Sequence, residues 1–327
     1  MTTPAGRYDV LVAAPNPALD SYYVVPELAA GVVHRASDVL HTAGGKGNNL
    51  SRAAVHLGGR VLSVGILGGH SGARIQRELE REGISAIAVP GQADTRQCIT
   101  VVRESGGENT VFLEQGAQVT PDEEQQFADT VIQYAPLAGS LVLNGSLPTG
   151  MRRDIFADVI SLLRRNLPEL LLALDTGGEA LRLGALAGPN IIKINVEEFG
   201  QAFGHNVGWS VAVGLRVAAG LSERGSRLLI VTDGPRGAYA FSGSGDAWHV
   251  QTPVARWIST AGAGDSFLAG LLLAFGRGRP LEAALVEASA AAAASLQHVV
   301  CGQIELTDFR AFVQTTRLER LPAQVTP

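Results

Sequence analysis

The stretch GSLVLNGSLPTGMRRDIFADVISLLRRNLPELLLALD, residues 139–175, contains an apolar run, an amphipathic segment and a second apolar run. GSLVLNG (139–145) and ELLLALD (169–175) are hydrophobic with little alternation, the pattern of strands covered on both faces. Between them Ile155, Phe156, Val159, Ile160 and Leu163 recur on one helical face, which predicts a helix within 151–167. A strand, a crossover helix and a second strand form the repeating unit of a parallel sheet.

The same alternation extends in both directions. YDVLVAAP (8–15), RVLSVGIL (60–67), ISAIAVP (84–90) and RLLIVTDG (227–234) read as further buried strands. Helices are expected at 48–57, 71–82, 122–134, 195–203, 210–224, 265–276 and 281–298. Pro121-Asp122 before Glu123-Glu124, and Pro280 before LEAALVEASA, have the composition of helix starts. The expected fold class is α/β, doubly wound, with a mostly parallel sheet flanked by helices.

Two segments depart from that pattern. Residues 16–42 hold Tyr22, Tyr23, Val24 and Val25 and then a polar stretch without helical period. Residues 94–117 read as a hairpin around Ser105-Gly106-Gly107. Neither carries a crossover helix, so the two together are expected to form a small projecting β-sheet, a lid. The implied division is a main nucleotide- and substrate-binding α/β domain of 1–15, 43–93 and 118–327, with a small β lid of 16–42 and 94–117. The Tyr and Val content of the lid suggests that two copies pair through it as a homodimer.

Composition narrows the function classes. The chain has 327 residues, 46% of them hydrophobic, and a net charge of -5. So mild an acidity argues against a nucleic-acid surface while permitting a local basic pocket. Cys98 and Cys301 lie far apart and outside any CxxC pair, which argues against a disulfide framework or zinc centre and for a reducing cytoplasm. The N-terminal residues lack a signal-peptide pattern, and no apolar run approaches the roughly 20 residues of a membrane helix, so no membrane partner is expected.

Two glycine clusters carry the chemistry. In STAGAGDSFLAG (259–270), Gly262-Ala263-Gly264 leads into Asp265 and an apolar helix. Asp265 alone is an ordinary helix-capping residue. Small residues before it let successive amides converge on an anion, and a carboxylate on the rim could take a proton from an attacking hydroxyl. In TAGGKGNNLSRAAVHLGG (42–59), Lys46 stands among glycines at a helix start, suited to an anion. A Walker A loop is excluded because Gly45-Lys46 is followed by Gly47 and preceded at position 40 by Leu. The first strand runs into PNPALD (15–20), which lacks the glycines of a dinucleotide fingerprint.

GGKGNN (44–49) and TAGAGDSF (260–267), in that order, resemble the two signatures of the ribokinase/PfkB-type carbohydrate kinase family. PNPALD, DTRQCI (94–99), NGSLPTG (144–150), LDTGGEAL (174–181), KINVEEF (193–199) and TDGPRGA (232–238) are similar to the branch acting on phosphosugars, that of 1-phosphofructokinase and tagatose-6-phosphate kinase. The resemblance implies a ribokinase-like fold and ATP- and Mg²⁺-dependent transfer to a primary hydroxyl of a sugar phosphate, with a monovalent cation in some relatives. It assigns Asp265 as general base and the amides of Gly262, Ala263 and Gly264 as anion hole. Lys193, Asn195, Thr232, Gly234 and Gly237 fall on the nucleotide side, with Asn195 and Glu198 organising Mg²⁺ and its waters. Asp20, Gly45 and Asn49 match sugar-contacting positions, Arg96 the arginine on the substrate's phosphate; Lys46, Arg35 and Ser146 are further substrate-side candidates. The chain departs from the family at Asn144, where serine is usual, and at Ile194, where proline is frequent. Fructose 1-phosphate, tagatose 6-phosphate and fructose 6-phosphate stay open as substrates. A kinase of a non-phosphorylated sugar or nucleoside, and a non-catalytic sugar-phosphate sensor, are the competing readings.

Overall fold

In the computed structural model, which describes residues 7–104, 109–204 and 209–322, residues 139–175 form the strand–helix–strand unit expected from their pattern. The strands are β1 (Tyr8–Ala13), β2 (Ala18–Val25), β3 (Asp38–Gly44), β4 (Val61–Leu67), β5 (Ser85–Pro90), β6 (Gln97–Arg103) and β7 (Thr110–Leu113). They continue with β8 (Ala138–Asn144), β9 (Leu171–Asp175), β10 (Ile191–Asn195), β11 (Leu228–Thr232), β12 (Ala238–Ser242), β13 (Ala247–Gln251) and β14 (Arg317–Leu321). The helices are α1 (Lys46–His56), α2 (Gly69–Arg81), α3 (Pro121–Tyr134), α4 (Ile155–Asn166) and α5 (Gly178–Leu186), then α6 (Val196–Phe203), α7 (Val211–Ser222), α8 (Ala263–Gly276), α9 (Leu281–Ser295) and α10 (Leu306–Thr315).

The main sheet has the order β14-β13-β12-β11-β10-β9-β8-β1-β4-β5. Pairing is parallel from β11 across to β5 and antiparallel from β11 to β14. Strands of two-sided burial explain the near-continuous apolar runs. In β1, Leu11 points into a core with Phe127 and Phe156, and Val12 into the opposite core with Leu50 and Leu268. In β8, Leu143 and Val142 divide the same way. Helices therefore cover both faces, which is the doubly wound arrangement.

Helix ends follow local chemistry. Thr120 and Glu123 form a reciprocal capping box at the start of α3, with Pro121 in its first turn. Pro280 caps α9. β10, β12, β13, β14, α5 and α10 have no counterpart among the elements expected from the sequence. β10 is five residues long with Lys193 inside it, and β12–β13 is an antiparallel hairpin of two five-residue strands.

The second sheet has the order β3-β2-β6-β7. β2 pairs antiparallel with β3 and parallel with β6, Leu19 opposite Gln97, and β6 and β7 form the expected hairpin. Ser105-Gly106-Gly107 lie outside the described residues. At its base, Leu19 and Ala43 are buried with Ile75 and Leu79 of α2. Its far edge is bare, with Phe112 59% and Leu113 70% exposed.

Candidate active site

A cleft of ≈1540 Å³ lies between the C-terminal ends of the parallel strands and one face of the small sheet. Strand ends at a sheet's carboxyl edge are where open α/β folds hold ligands. Asn144, Asn195 and Thr232 reach the cleft from the main sheet, and Asp20, Tyr22, Cys98 and Thr100 from the small one.

The GAGD turn forms one wall. Gly262 is the N-cap of α8 with φ 77°, a left-handed conformation suited to glycine, and no side chain caps the helix. The helix begins at Ala263, two residues ahead of the expected start, so Asp265 stands inside its first turn. Asp265 is 4% exposed, and its Oδ2 accepts a 3.0 Å hydrogen bond from Asn49 Nδ2. Burial pushes its pKa up to about 6, and the charge of Asp175 adds to the rise; Lys193, Lys46 and the Asn49 bond oppose it. The amides of the first helical turn and the positive end of the helix dipole face the same space.

Asp175, fully buried at the end of β9, accepts from Lys193 Nζ at 2.7 Å on one oxygen and from Lys46 Nζ at 3.1 Å on the other. Burial alone would raise the Asp175 pKa, but the two ammonium groups outweigh it and hold the carboxyl below its usual value. A β-carbon on Gly264 would lie 2.7 Å from Lys193 Nζ, which places that ammonium directly beneath the GAGD turn. Lys46 also donates to Glu198 Oε1 at 3.1 Å. In this state its partners are carboxylates, so it reads as a cross-link of the cleft floor.

Asn195 and Glu198 cap α6 reciprocally. Asn195 Oδ1 accepts from the Glu198 amide at 2.8 Å, and Glu198 Oε2 accepts from the Asn195 amide at 2.9 Å. Thr232, whose hydroxyl donates to the Ile194 carbonyl at 3.3 Å, lines the cleft beside them, together with Lys193. Gly234 and Gly237 do not line it; they shape the turn between β11 and β12.

On the opposite side, Asp20 and Gly44 meet so closely that a β-carbon on Gly44 would overlap the Asp20 carboxyl, which explains that glycine. Burial raises the Asp20 pKa to about 6, opposed by the charges of Arg52 and Arg96 and a hydrogen bond from the Gly45 amide. Gly45, Asn49, Arg96 and Ser146 also line the cleft. Arg96 donates to the carbonyls of Pro17, Glu114 and Asn16 at 3.3, 3.3 and 3.1 Å, bracing the turn that carries Asp20. Asn16 Nδ2 donates to Ser146 Oγ at 3.0 Å. Arg35 is exposed on the connection between β2 and β3 and is not brought to the cleft.

Asp175 and Arg52 belong to the site without being among the residues expected there from the sequence. Asp175 lies in LDTGGEAL, whose resemblance to family sequences was the available signal. Of the tryptophans, Trp248 belongs to the core and Trp257, 59% exposed, lines the cleft.

A model of the pfkB family of carbohydrate kinases matches residues 16–307. A tagatose-6-phosphate kinase of Staphylococcus epidermidis is 28% identical over 267 residues, covering 80% of this chain and 84% of its own. Phosphofructokinase-2 from Escherichia coli, solved in complex with potassium, superposes with a TM-score of 0.86 at 26% identity, over 94% of this chain and 98% of that one. The same enzyme has been solved with fructose-6-phosphate and in a tetrameric inhibited form. A ribokinase from Arabidopsis thaliana, complexed with ribose and ATP, has a TM-score of 0.69 at 20% identity over 94% of this chain and 99% of its own, which speaks to the fold alone.

Proposed function

We infer from its membership of the pfkB family of carbohydrate kinases, to which this chain belongs, that it transfers the γ-phosphoryl group of ATP to a primary hydroxyl of a sugar phosphate. The observation carrying the reading is Asp265: a buried carboxylate in the first turn of α8, beside an uncapped helix start and above Lys193. In this mechanism Asp265 takes the hydroxyl proton as that oxygen bonds to the γ-phosphorus and the bond to the β-γ bridging oxygen breaks, releasing ADP. The amides of Gly262, Ala263 and Gly264 and the Lys193 ammonium stabilise charge gathering on the phosphoryl oxygens.

Asn195 and Glu198 offer amide and carboxylate oxygens only, a donor set suited to Mg²⁺. Among the described residues no group of three or more His, Cys, Asp or Glu converges on a metal position, as suits an ion that keeps its waters and binds mainly to phosphates. When bound, Mg²⁺ would neutralise phosphate charge. The potassium complex of the Escherichia coli relative supports a monovalent cation as a further cofactor.

Asp20, Gly45 and Asn49 would hold the sugar, with Arg96 and Ser146 beside its existing phosphate. The tagatose-6-phosphate kinase relative and the fructose-6-phosphate complex support a phosphorylated acceptor. The engagement of Arg96 with three carbonyls favours the second reading, a neutral sugar. An ATP-consumption screen decides between them. Tagatose 6-phosphate, fructose 1-phosphate or fructose 6-phosphate should be turned over well ahead of fructose, tagatose or ribose. Arg96→Ala should raise the KM of the phosphorylated acceptor by about tenfold or more, the loss of a charge-assisted contact. Preference for a neutral sugar, or an unmoved KM, would exclude the phosphosugar assignment.

We treat 16–42 and 94–117 as a lid over a cytoplasmic enzyme's cleft; among the described residues no helix is long and apolar enough to cross a membrane. The lid's outer face carries Tyr23, Val39, Ile99, Val101 and Phe112 on one side of the sheet, with Val39 41% and Phe112 59% exposed. An apolar face of this kind supports pairing with a second copy. Sedimentation should show a dimer at micromolar concentration that Phe112→Asp dissociates; a monomeric wild type would rule the pairing out.

A further inference from the structure

Cys301 and Gly302 lie far from both glycine signatures in sequence and sit between them in space. A β-carbon on Gly262 would come within 2.8 Å of Cys301 Cβ, and one on Gly302 would collide with the Asn49 carbonyl. The two residues are therefore wedged between the N-cap of α8 and the first turns of α1. Asn49 holds Asp265, so the wedge touches both supports of that carboxylate.

The wedge is fixed on three sides. Arg52, 2% exposed, donates to the Cys301 carbonyl at 2.7 Å while its other donors go to Glu82, to Thr42 Oγ1 and to the Ala43 carbonyl. His56 Nδ1 accepts from the Ile304 amide at 3.0 Å. On the third side, Tyr22 of β2, 3% exposed, donates its hydroxyl to Cys301 Sγ at 3.3 Å and accepts from the Cys301 amide at 3.4 Å. Burial pushes the Cys301 thiol up to about 11, so it stays a neutral partner. Tyr22 thus joins the small sheet, two residues from Asp20 on the same strand, to the segment packed against Gly262.

We propose that Tyr22 and Cys301 are positioning residues for phosphoryl transfer: their paired hydrogen bonds set the small sheet against the first turn of α8, and so set Asp20 relative to Asp265. The proposal rests on the reading of Asp265 as the base. Neither residue touches the reacting atoms. Their effect is on the alignment of the held hydroxyl with Asp265, and misalignment lowers turnover more than binding.

The test is a double-mutant cycle of Tyr22→Phe and Cys301→Ala, with Cys301→Ser as the conservative variant, assayed with ATP-Mg²⁺ and tagatose 6-phosphate. Each single change should lower kcat by about fivefold with KM nearly unchanged, the scale of one hydrogen bond. The double variant should be no worse than Tyr22→Phe alone, because that change already removes both hydrogen bonds, whereas Cys301→Ala leaves the one from the Cys301 amide. Cys301→Ser should keep most of the turnover. Amide exchange of residues 262–266 should quicken in Tyr22→Phe while that of β8 and β9 stays unchanged. Additive losses in kcat, or exchange at 262–266 equal to wild type, would overturn the proposal. If no sugar phosphate is turned over by the wild type, the functional reading fails, and the exchange comparison still decides whether the link orders the turn.

Discussion

Replacing Asp265 by asparagine is expected to lower turnover by about a thousandfold, the scale of a lost general base, while the protein stays folded and binds ATP. Asparagine has the same shape and can still accept from Asn49 Nδ2. It also removes a carboxylate whose burial is unfavourable, so stability should not fall. The wild type should show the matching pH dependence. With a pKa of about 6, Asp265 is ionised at neutral pH, and kcat/KM should be flat above that value and fall as pH drops through it. For stability the sign is reversed. The folded pKa is raised above the usual 3.8, so the protonated carboxyl favours the folded state. That contribution is fully present below 3.8 and lost as pH rises through about 6. Thermal melts of the wild type against Asp265→Asn between these limits read it directly. Near-wild-type turnover in Asp265→Asn would sink the base assignment.

Asp175→Asn should destabilise the protein by about 3 kcal/mol, because it leaves the Lys193 ammonium buried without its counter-charge. Lys193 Nζ is 2.7 Å from Asp175 and its side chain is 5% exposed, whereas Lys46 is 35% exposed and keeps Glu198. The loss therefore falls mainly on Lys193, whose buried ammonium loses its hydrogen-bonded carboxylate. A chemical-denaturation midpoint lowered with unchanged slope would show it. A midpoint equal to wild type would mean that the pair contributes nothing net, as some buried pairs do.

The strands at 8–13, 61–67, 138–144 and 171–175 are legible because burial on both faces writes an unbroken apolar run. β13 and β14 are not, since Ala247–Gln251 and Arg317–Leu321 pair near the end of the sheet and keep polar residues on one side. The site shows the same division. Asp265 announces itself through the glycines before it, a local signal. Asp175 has its partners 18 and 129 positions away, and a buried aspartate at a strand end looks like any other until both lysines are placed. Arg35 and Arg96 carry the same charge in the sequence. Backbone carbonyls at 16, 17 and 114 hold one of them at the cleft, while the other stays exposed on its loop. Asn195 and Glu198 are recognisable as a pair through the resemblance of KINVEEF to the family, and the capping box is what their spacing builds.

The small sheet is assembled from two stretches of chain with α1, β4, α2 and β5 between them, and its central pairing joins Leu19 to Gln97. Closing so long a segment costs entropy before any contact forms, so this pairing belongs late in folding, after the main sheet has brought the ends near. Asp20 rides on that late pairing, whereas Asp265 rides on a helix packed into the main core. The half of the cleft proposed to hold the acceptor is thus the last to mature and the least independently stable. With Asp20 as the proposed sugar contact, substrate binding energy would reach this part of the molecule first, and substrate protection against proteolysis should concentrate in β2, β6 and β7.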